Sequence, residues 1–117
     1  MKVKVSEATG PVLNWLVAKC KGEATKWDSD EDAFVFFDRE EGGDRHYAPS
    51  TDWAQGGPII EREGITLRNF IQGDAWDAEL GYERTFLESG PTPLIAAMRC
   101  YVASNLGDEV EVPEELL

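Results

Sequence analysis

The segment Tyr47-Ala-Pro-Ser-Thr-Asp-Trp-Ala-Gln-Gly-Gly-Pro-Ile-Ile-Glu61 concentrates groups that can recognise a small molecule. Its aromatic rings could stack on a planar ligand, its polar side chains could hydrogen-bond, and its glycine amides could approach a phosphate. Pro49 to Asp52 read as a helix start, and Gly56-Gly57-Pro58 as a helix stop or sharp bend. These signals predict a pocket formed by residues 47–62. In the alternative interpretation, Asp52 caps a short helix and Trp53 fills the core.

Arginines flank this segment and could supply positive charge to the pocket. All five lysines lie at or before Lys26, and all six arginines lie at or after Arg39. A guanidinium can bind phosphate or carboxylate in a bidentate manner and can stack on aromatic rings. Arg45 and Arg62 border the segment, and Arg99 interrupts a helix of small apolar residues. Each arginine could instead form a surface ion pair, which would contribute little to stability.

We therefore predict a ligand site without catalytic groups. A planar ligand could stack on the aromatic rings, an anionic group could bind hydroxyls, amides and guanidinium groups, and Asp52 or Gln55 could hydrogen-bond to a polar group of the ligand. The predicted ligand-binding residues are Arg45, Tyr47, Ser50, Thr51, Asp52, Trp53, Gln55, Gly56, Gly57, Arg62, Trp76 and Arg99.

Motifs for catalysis, cofactors and metals are missing from the sequence. It contains no phosphate loop, no G-x-G-x-x-G and no G-x-S-x-G nucleophile motif. His46 is the only histidine and has no second zinc ligand nearby, so it is either a ligand contact or an ordinary strand residue. An acidic run after Asp28 fails as a calcium loop, because Ala33 and Arg39 replace the required glycine and glutamate. We predict no catalytic residue, no metal and no cofactor; an enzyme acting on a nucleotide has the least support.

Length and charge limit the possible domain organisation and the possible partners of the protein. The chain has 117 residues and a net charge of -12, and we expect one domain over residues 1–117 with an extended acidic tail at 108–117, anchored on one side by Val110 and Val112. The negative charge disfavours direct binding to nucleic acid. It serves solubility, or it presents an acidic face to a basic partner. Without an apolar span or a signal-peptide core, we expect no membrane association and a cytosolic protein. Cys20 and Cys100 are expected to be reduced thiols, with a disulfide as the alternative.

Hydrophobic periodicity predicts an α+β fold in which two main helices pack on a small, mainly antiparallel sheet. The first helix is predicted from a Ser6 cap to about Lys21, with a stop at Gly22, and the last from a Thr92 cap to Gly107. Small residues on the last helix predict close contact with a strand or a second subunit, so we expect a homo-oligomer. Strands are predicted at 33–38 and 45–47 as a hairpin, at 59–60 and 65–67 as two short strands or one interrupted element, and at 75–80 and 82–87. Residues 23–32 and 69–74 are predicted to be loops.

Four blocks of the sequence resemble the NinX-like proteins, a family of small proteins encoded by lambdoid phages and prophages. The blocks are Met1–Glu7, Tyr47–Arg62, Gly90–Ser104 and Gly107–Pro113. The resemblance implies a phage accessory protein that works in the host bacterial cytoplasm, and it brings no catalytic motif.

Bacteria signal infection with modified or cyclic nucleotides, and a phage protein that binds such a signal needs a pocket but no catalysis. Together with the predicted pocket, the resemblance therefore favours a non-catalytic sponge that sequesters a nucleotide-type immune signal. The alternative is an acidic protein–protein interaction module that engages a host DNA-binding or nuclease protein.

Overall fold

A computed structural model describes residues 1–22, 25–28, 33–38, 43–69, 75–81 and 86–116 of the chain. The helices in this part are α1 (Gly10–Lys21), α2 (Trp53–Glu63) and α3 (Pro93–Leu106). The strands are β1 (Lys2–Lys4), β2 (Thr25–Asp28), β3 (Ala33–Asp38), β4 (Gly43–His46), β5 (Thr66–Asn69), β6 (Trp76–Leu80), β7 (Phe86–Gly90) and β8 (Glu109–Glu111). The predicted α+β class is confirmed.

The described strands pair antiparallel in three small sheets, ordered β1-β8, β2-β3-β4 and β5-β6-β7. The predicted hairpin is confirmed as β3 and β4, with Val35 opposite His46. The loop predicted for 23–32 is wrong at β2, where Trp27 lies opposite Phe34. A strand of four residues between acidic stretches is too short to show a clear alternation, so pairing with β3 decides its conformation. The rest of that predicted loop, 23–24 and 29–32, lies outside the described residues.

Helix α3 forms the centre of the hydrophobic core. Its cap is as predicted, because Thr92 Oγ1 accepts a hydrogen bond of 3.1 Å from the Ile95 amide. The helix is buried on nearly all sides from Leu94 to Ala103, including the small residues that were predicted to meet another element. Those residues pack within the chain, since α3 contacts β6, β7, α1 and α2. They therefore give no support to a homo-oligomer, which stays a prediction.

Helix α1 begins at Gly10 and not at Ser6, which lies in a short 3₁₀ turn (Val5–Glu7). The predicted end is confirmed, because Gly22 adopts a left-handed conformation with φ 73°. Leu13 and other apolar residues of α1 enter the core as expected. Asn14 is also buried, although its polarity gave no such signal in the sequence. Its amide has a structural role in positioning the 47–52 segment.

Helix α2 shows the largest departure from the sequence prediction. Gly56, Gly57 and Pro58 continue the helix, and the strand predicted at 59–60 is wrong because both residues are helical. A Cβ on Gly56 would lie 2.4 Å from the Pro49 carbonyl oxygen and 2.6 Å from Leu94 Cδ2. The close packing of α2 on α3 therefore outweighs the weak helix propensity of glycine and proline. Because α2 continues without a bend, Arg62 lies at the opposite end of the helix from Trp53.

The sheet β5-β6-β7 covers one side of α3. The strand predicted at 75–80 is confirmed, with Ala78 fully buried and Trp76 and Leu80 packed against the same core. Of the strand predicted at 82–87, Phe86 and Leu87 belong to β7, which continues to Gly90, and residues 82–85 lie outside the described part. Of the turn predicted at 69–74, Asn69 belongs to β5 and the remainder is likewise not described.

The C-terminal segment returns to the start of the chain. Strand β8 pairs with β1, and Val110 and Val112 are buried, so the predicted anchoring of the tail is confirmed. The Val5 amide donates to the Asp108 carbonyl at 2.9 Å, and the Val112 amide donates to the Met1 carbonyl at 3.0 Å. In the described part of the chain, no helix has the length and apolar character needed to cross a membrane.

Two neighbouring glycines of α2 give a matched test of the close packing. We expect Gly56→Ala to lower the free energy of unfolding by at least about 2 kcal/mol, because its methyl group would overlap the Pro49 carbonyl and Leu94. Gly57→Ala is the control: its Cβ would lie 3.9 Å from Trp53, so the gain in helix propensity should stabilise the protein by about 0.5–1 kcal/mol. Urea unfolding of both variants measures the difference, and equal effects would contradict this packing.

Candidate functional site

A small cavity lies where the N-termini of α2 and α3 meet. It has a volume of about 200 Å³ and is lined by Ser50, Thr51, Trp53, Thr92, Pro93, Leu94 and Ile95. The Trp53 side chain is 55% exposed, so its indole borders the cavity and faces solvent. Pockets for drug-sized ligands usually enclose roughly 300–1,000 Å³. This cavity is therefore suited to one planar ring or one anionic group, with the rest of a larger ligand lying outside it.

The backbone gives the cavity a favourable field for an anion. The first turn of a helix carries a partial positive charge, and two such turns converge here. Their caps already bind one amide each: Asp52 Oδ1 accepts from the Ala54 amide at 2.9 Å, and Thr92 accepts from Ile95. The Asp52 carboxylate opposes part of this field, because it places a negative charge at the start of α2.

Hydrogen bonds inside the protein hold the 47–52 segment in place. Ser50 is 1% exposed, and both its amide and its hydroxyl donate to Asn14 Oδ1, at 3.1 and 2.7 Å. Gln55 Oε1 accepts from the Ala48 amide at 3.0 Å, while Gln55 Nε2 donates to Asp52 Oδ2 at 3.0 Å. These polar groups therefore anchor the start of α2 to α1 and to the preceding turn, and their hydrogen-bonding capacity is largely used there.

The central segment is divided between the cavity and the core. Tyr47 is buried, and Gly56 is packed against Pro49 and Leu94. Of the twelve predicted ligand-binding residues, those that line the cavity are Ser50, Thr51 and Trp53. Gly57 lies beside the Trp53 ring without lining the cavity.

The predicted cations and the second indole lie elsewhere. Arg62 is at the far end of α2, about 13 Å from Trp53 along a helix that rises ~1.5 Å per residue; its Nη2 approaches Glu63 Oε1 and the Tyr101 hydroxyl, both at 3.4 Å. Trp76 packs on the core from β6. Arg45 lies on β4, and its side chain is outside the described part of the structure. The structure therefore does not bring these groups to the cavity, and their ligand-binding roles stay predictions.

Arg99 is an interior residue, neither a surface ion pair nor an arginine in an open cleft. It is 7% exposed; its Nε donates to the Ala8 carbonyl and its Nη1 to the Ser89 carbonyl, both at 2.8 Å. Burial lowers the pKa of the guanidinium, and the carboxylates of Glu88 and Glu7 oppose that shift. Burial also raises the pKa of Glu88, to which the negative charge of Asp108 adds. Arg99 therefore ties α3 to the start of α1 and to β7.

Both cysteines are free, which confirms the prediction of reduced thiols. Burial raises the pKa of Cys20 to about 11 and that of Cys100 to about 12. The thiolate is the nucleophilic form, so both side chains remain protonated and unreactive at neutral pH. Among the described residues, no cluster of three or more histidine, cysteine or acidic side chains could hold a metal ion.

A second and larger cavity, which the sequence did not predict, is formed by residues near the N-terminus of the chain. It has a volume of about 440 Å³ and is lined by Met1, Lys2, Val3, Lys4, Glu7, Ala8, Thr9 and Val12. The alternation of lysine and valine in β1 was visible in the sequence, but the pairing of β1 with a strand more than 100 residues away was not.

Comparison with known proteins agrees with the resemblance of the sequence blocks. The sequence model of the family described as "Bacteriophage P22, NinX" matches residues 4–105, a span that contains α1, the Trp53 cavity and all but the last residue of α3. The chain belongs to this phage family. No curated protein matches the chain.

Asn14 offers a test of how the cavity is held in place. Asn14→Ala removes the acceptor of both Ser50 hydrogen bonds and leaves two buried donors unpaired, so it should destabilise the protein by about 2–3 kcal/mol. Ser50→Ala removes only the hydroxyl donor and should cost about 1 kcal/mol. Chemical denaturation measures both variants. If Ser50→Ala proves the more destabilising, the 47–52 segment is held by other contacts.

Proposed function

We propose that this member of the phage NinX family is a non-catalytic small-molecule binder that sequesters a nucleotide-type immune signal in the host bacterial cytoplasm. The observation that carries the proposal is the exposed Trp53 indole beside a cavity at which two helix N-termini converge. This combination offers an aromatic face for a base and backbone polarity for a phosphate.

The chemistry of the cavity suits a ligand that is both planar and anionic. Stacking of a base on an aromatic side chain contributes about 1–3 kcal/mol. A phosphate near the first turns of α2 and α3 would meet their partial positive charge, and the exposed Thr51 hydroxyl could add a hydrogen bond. The cavity of about 200 Å³ would hold one of these two parts, while the other extends across the open rim.

The charges of the site distinguish this mode of binding from an arginine cluster. The chain has a net charge of -12, and Arg62 and Arg99 are engaged away from the cavity. Affinity in this proposal therefore depends on stacking and backbone polarity. Added salt screens the repulsion between protein and ligand, so it should leave the affinity unchanged or raise it.

The proposal is tested by calorimetry and thermal shift against mono-, di- and cyclic nucleotides. A bound nucleotide should raise the melting temperature by several degrees at about 100 times its Kd. Trp53→Ala should weaken binding by roughly 5- to 150-fold because the stacking face is lost. Arg62→Ala should have little effect, since this residue lies at the other end of α2.

The chemical state of the nucleotide separates sequestration from turnover. A sequestering protein should release unchanged nucleotide on heating, whereas an altered nucleotide would identify an enzyme. If the Trp53→Ala variant binds the nucleotide as tightly as the wild type does, or if Arg62→Ala abolishes binding instead, the proposed site is contradicted.

A second candidate function rests on the C-terminal segment. Its exposed acids, Asp108, Glu109, Glu111 and Glu114, lie within seven residues and could engage a basic host protein such as a nuclease or a DNA-binding factor. Closely spaced surface carboxylates steer a cationic partner over a distance of about 10 Å at moderate ionic strength.

The test of this candidate is salt-dependent binding to a cationic DNA-binding protein. We expect the affinity to fall steeply with salt, and to fall at least about threefold when Glu109 and Glu114 are changed to Gln. Glu61→Gln/Glu63→Gln on α2 is the control, because it removes the same charge from a different surface. Equal losses in both variants would show that net charge alone, and not this segment, attracts the partner.

A further inference from the structure

Strand β1 has one edge that no described strand covers. It pairs with β8 in a two-stranded sheet, and the register places Lys2 opposite Glu111 and Lys4 opposite Glu109. The backbone hydrogen bonds at the two ends of this ladder join Val5 to Asp108 and Met1 to Val112, so they involve odd-numbered residues of the N-terminal strand. In an antiparallel ladder, alternate residues direct their backbone groups to opposite edges. The amides of Lys2 and Lys4 and the Lys2 carbonyl therefore point away from β8.

The larger cavity of about 440 Å³ lies along this open edge. Its lining comes from Met1 and β1, from Glu7 and the two residues that follow it, and from Val12 of α1, and it includes no residue of β8. Val3 and Val12 give it apolar surface, while the exposed Lys2 and Lys4 give it two positive charges against the one negative charge of Glu7. Unpaired backbone groups, apolar side chains and charge therefore lie together in one groove.

The edge of β1 that pairs with β8 shows which pattern of side chains a neighbouring strand can have. Strand β8 reads Glu-Val-Glu, so its two carboxylates lie opposite the two lysines while Val110 lies opposite Val3. A strand of similar pattern on the open edge would again place acids beside the lysines. A second β1 would instead bring four ammonium groups together, which is unfavourable for directly opposed strands.

We propose that the open edge of β1 is a docking site for an extended acidic segment of a partner protein, which would add a third strand to the β1-β8 sheet. Main-chain hydrogen bonds to Lys2 and Lys4 would supply the pairing, and the lysine side chains would select acids at alternate positions. The 3₁₀ turn that follows Lys4 ends the edge, so the contact is short and the complex is expected to exchange rapidly.

The test uses a synthetic peptide, Gly-Asp-Glu-Val-Glu-Val-Pro, in an NMR titration of the full protein. We expect saturable shifts of the Lys2 and Lys4 amides. Two N-methylated forms of the peptide, each blocking alternate amides, should differ at least about tenfold in affinity, because only one set faces β1. Equal binding of both forms would show that the main chain takes no part and would overturn the proposal.

Charge variants test the role of the lysines. Lys2→Gln/Lys4→Gln should weaken peptide binding about three- to tenfold at low salt, whereas Lys19→Gln/Lys21→Gln, which removes the same charge from α1, should not. Thermal unfolding of both variants checks the fold.

Three results would overturn the docking site. In the first, the NMR shifts centre on Val3 and Val5 and the β8 pairing is lost, which would mean that the peptide replaces β8. In the second, the protein self-associates without peptide and Lys4→Gln abolishes that association, which would assign the edge to a second copy. In the third, both lysine double variants bind the peptide equally well. Each is separate from the nucleotide test at Trp53, so failure of one proposal leaves the other to be judged on its own.

Discussion

The close approach of α2 to α3 at Gly56 is the constraint on which the candidate site depends. A methyl group at this position would overlap both the Pro49 carbonyl and Leu94, so only glycine lets the two helices pack at this distance. That distance brings their N-termini together and forms the cavity beside Trp53. The same contact anchors the turn before α2, whose Ser50 is held by Asn14 of α1. Three helices therefore meet at one small region of close packing.

Two buried polar side chains complete this arrangement. Asn14 accepts a hydrogen bond from Ser50 and Arg99 donates one to Ala8, partners far along the chain, and both side chains are buried. A buried hydrogen-bonded group adds modest net stability, but the loss of its partner is costly, so such groups favour one arrangement over its alternatives. Arg99 fixes α3 relative to the chain before α1 and to β7, while Asn14 fixes the start of α2. The core thus holds the cavity from both sides.

Local signals in the sequence were sufficient where they agreed with tertiary packing. The Thr92 cap, the stop at Gly22, the strand around Ala78 and the buried Val110 and Val112 were predicted, and the Asp52 cap was the alternative interpretation. They failed at α2, where Gly-Gly-Pro normally ends a helix but here allows close packing. They also failed at β2, a strand of four residues that depends on its partner.

The candidate site was predicted only in part, for a related reason. Aspartate, glutamine and serine suit a ligand site, but they equally suit helix capping and loop anchoring, and here they perform the second task. Their residue types do not reveal which hydrogen bonds they make. Ser50, Thr51 and Trp53 do line the cavity, yet its other wall comes from the start of α3, about forty positions later. The β1 groove depends on a still more distant pairing, between the two ends of the sequence.

The central claim is that the Trp53 indole is the stacking face for a nucleotide. The most direct measurement is the NMR signal of each indole N–H during a nucleotide titration of the wild-type protein. The account predicts a large, saturable shift of the Trp53 signal, with little change for Trp15 and Trp76, which pack against the core. A saturable shift confined to Trp76, or calorimetric binding that leaves the Trp53 signal unmoved, would contradict it.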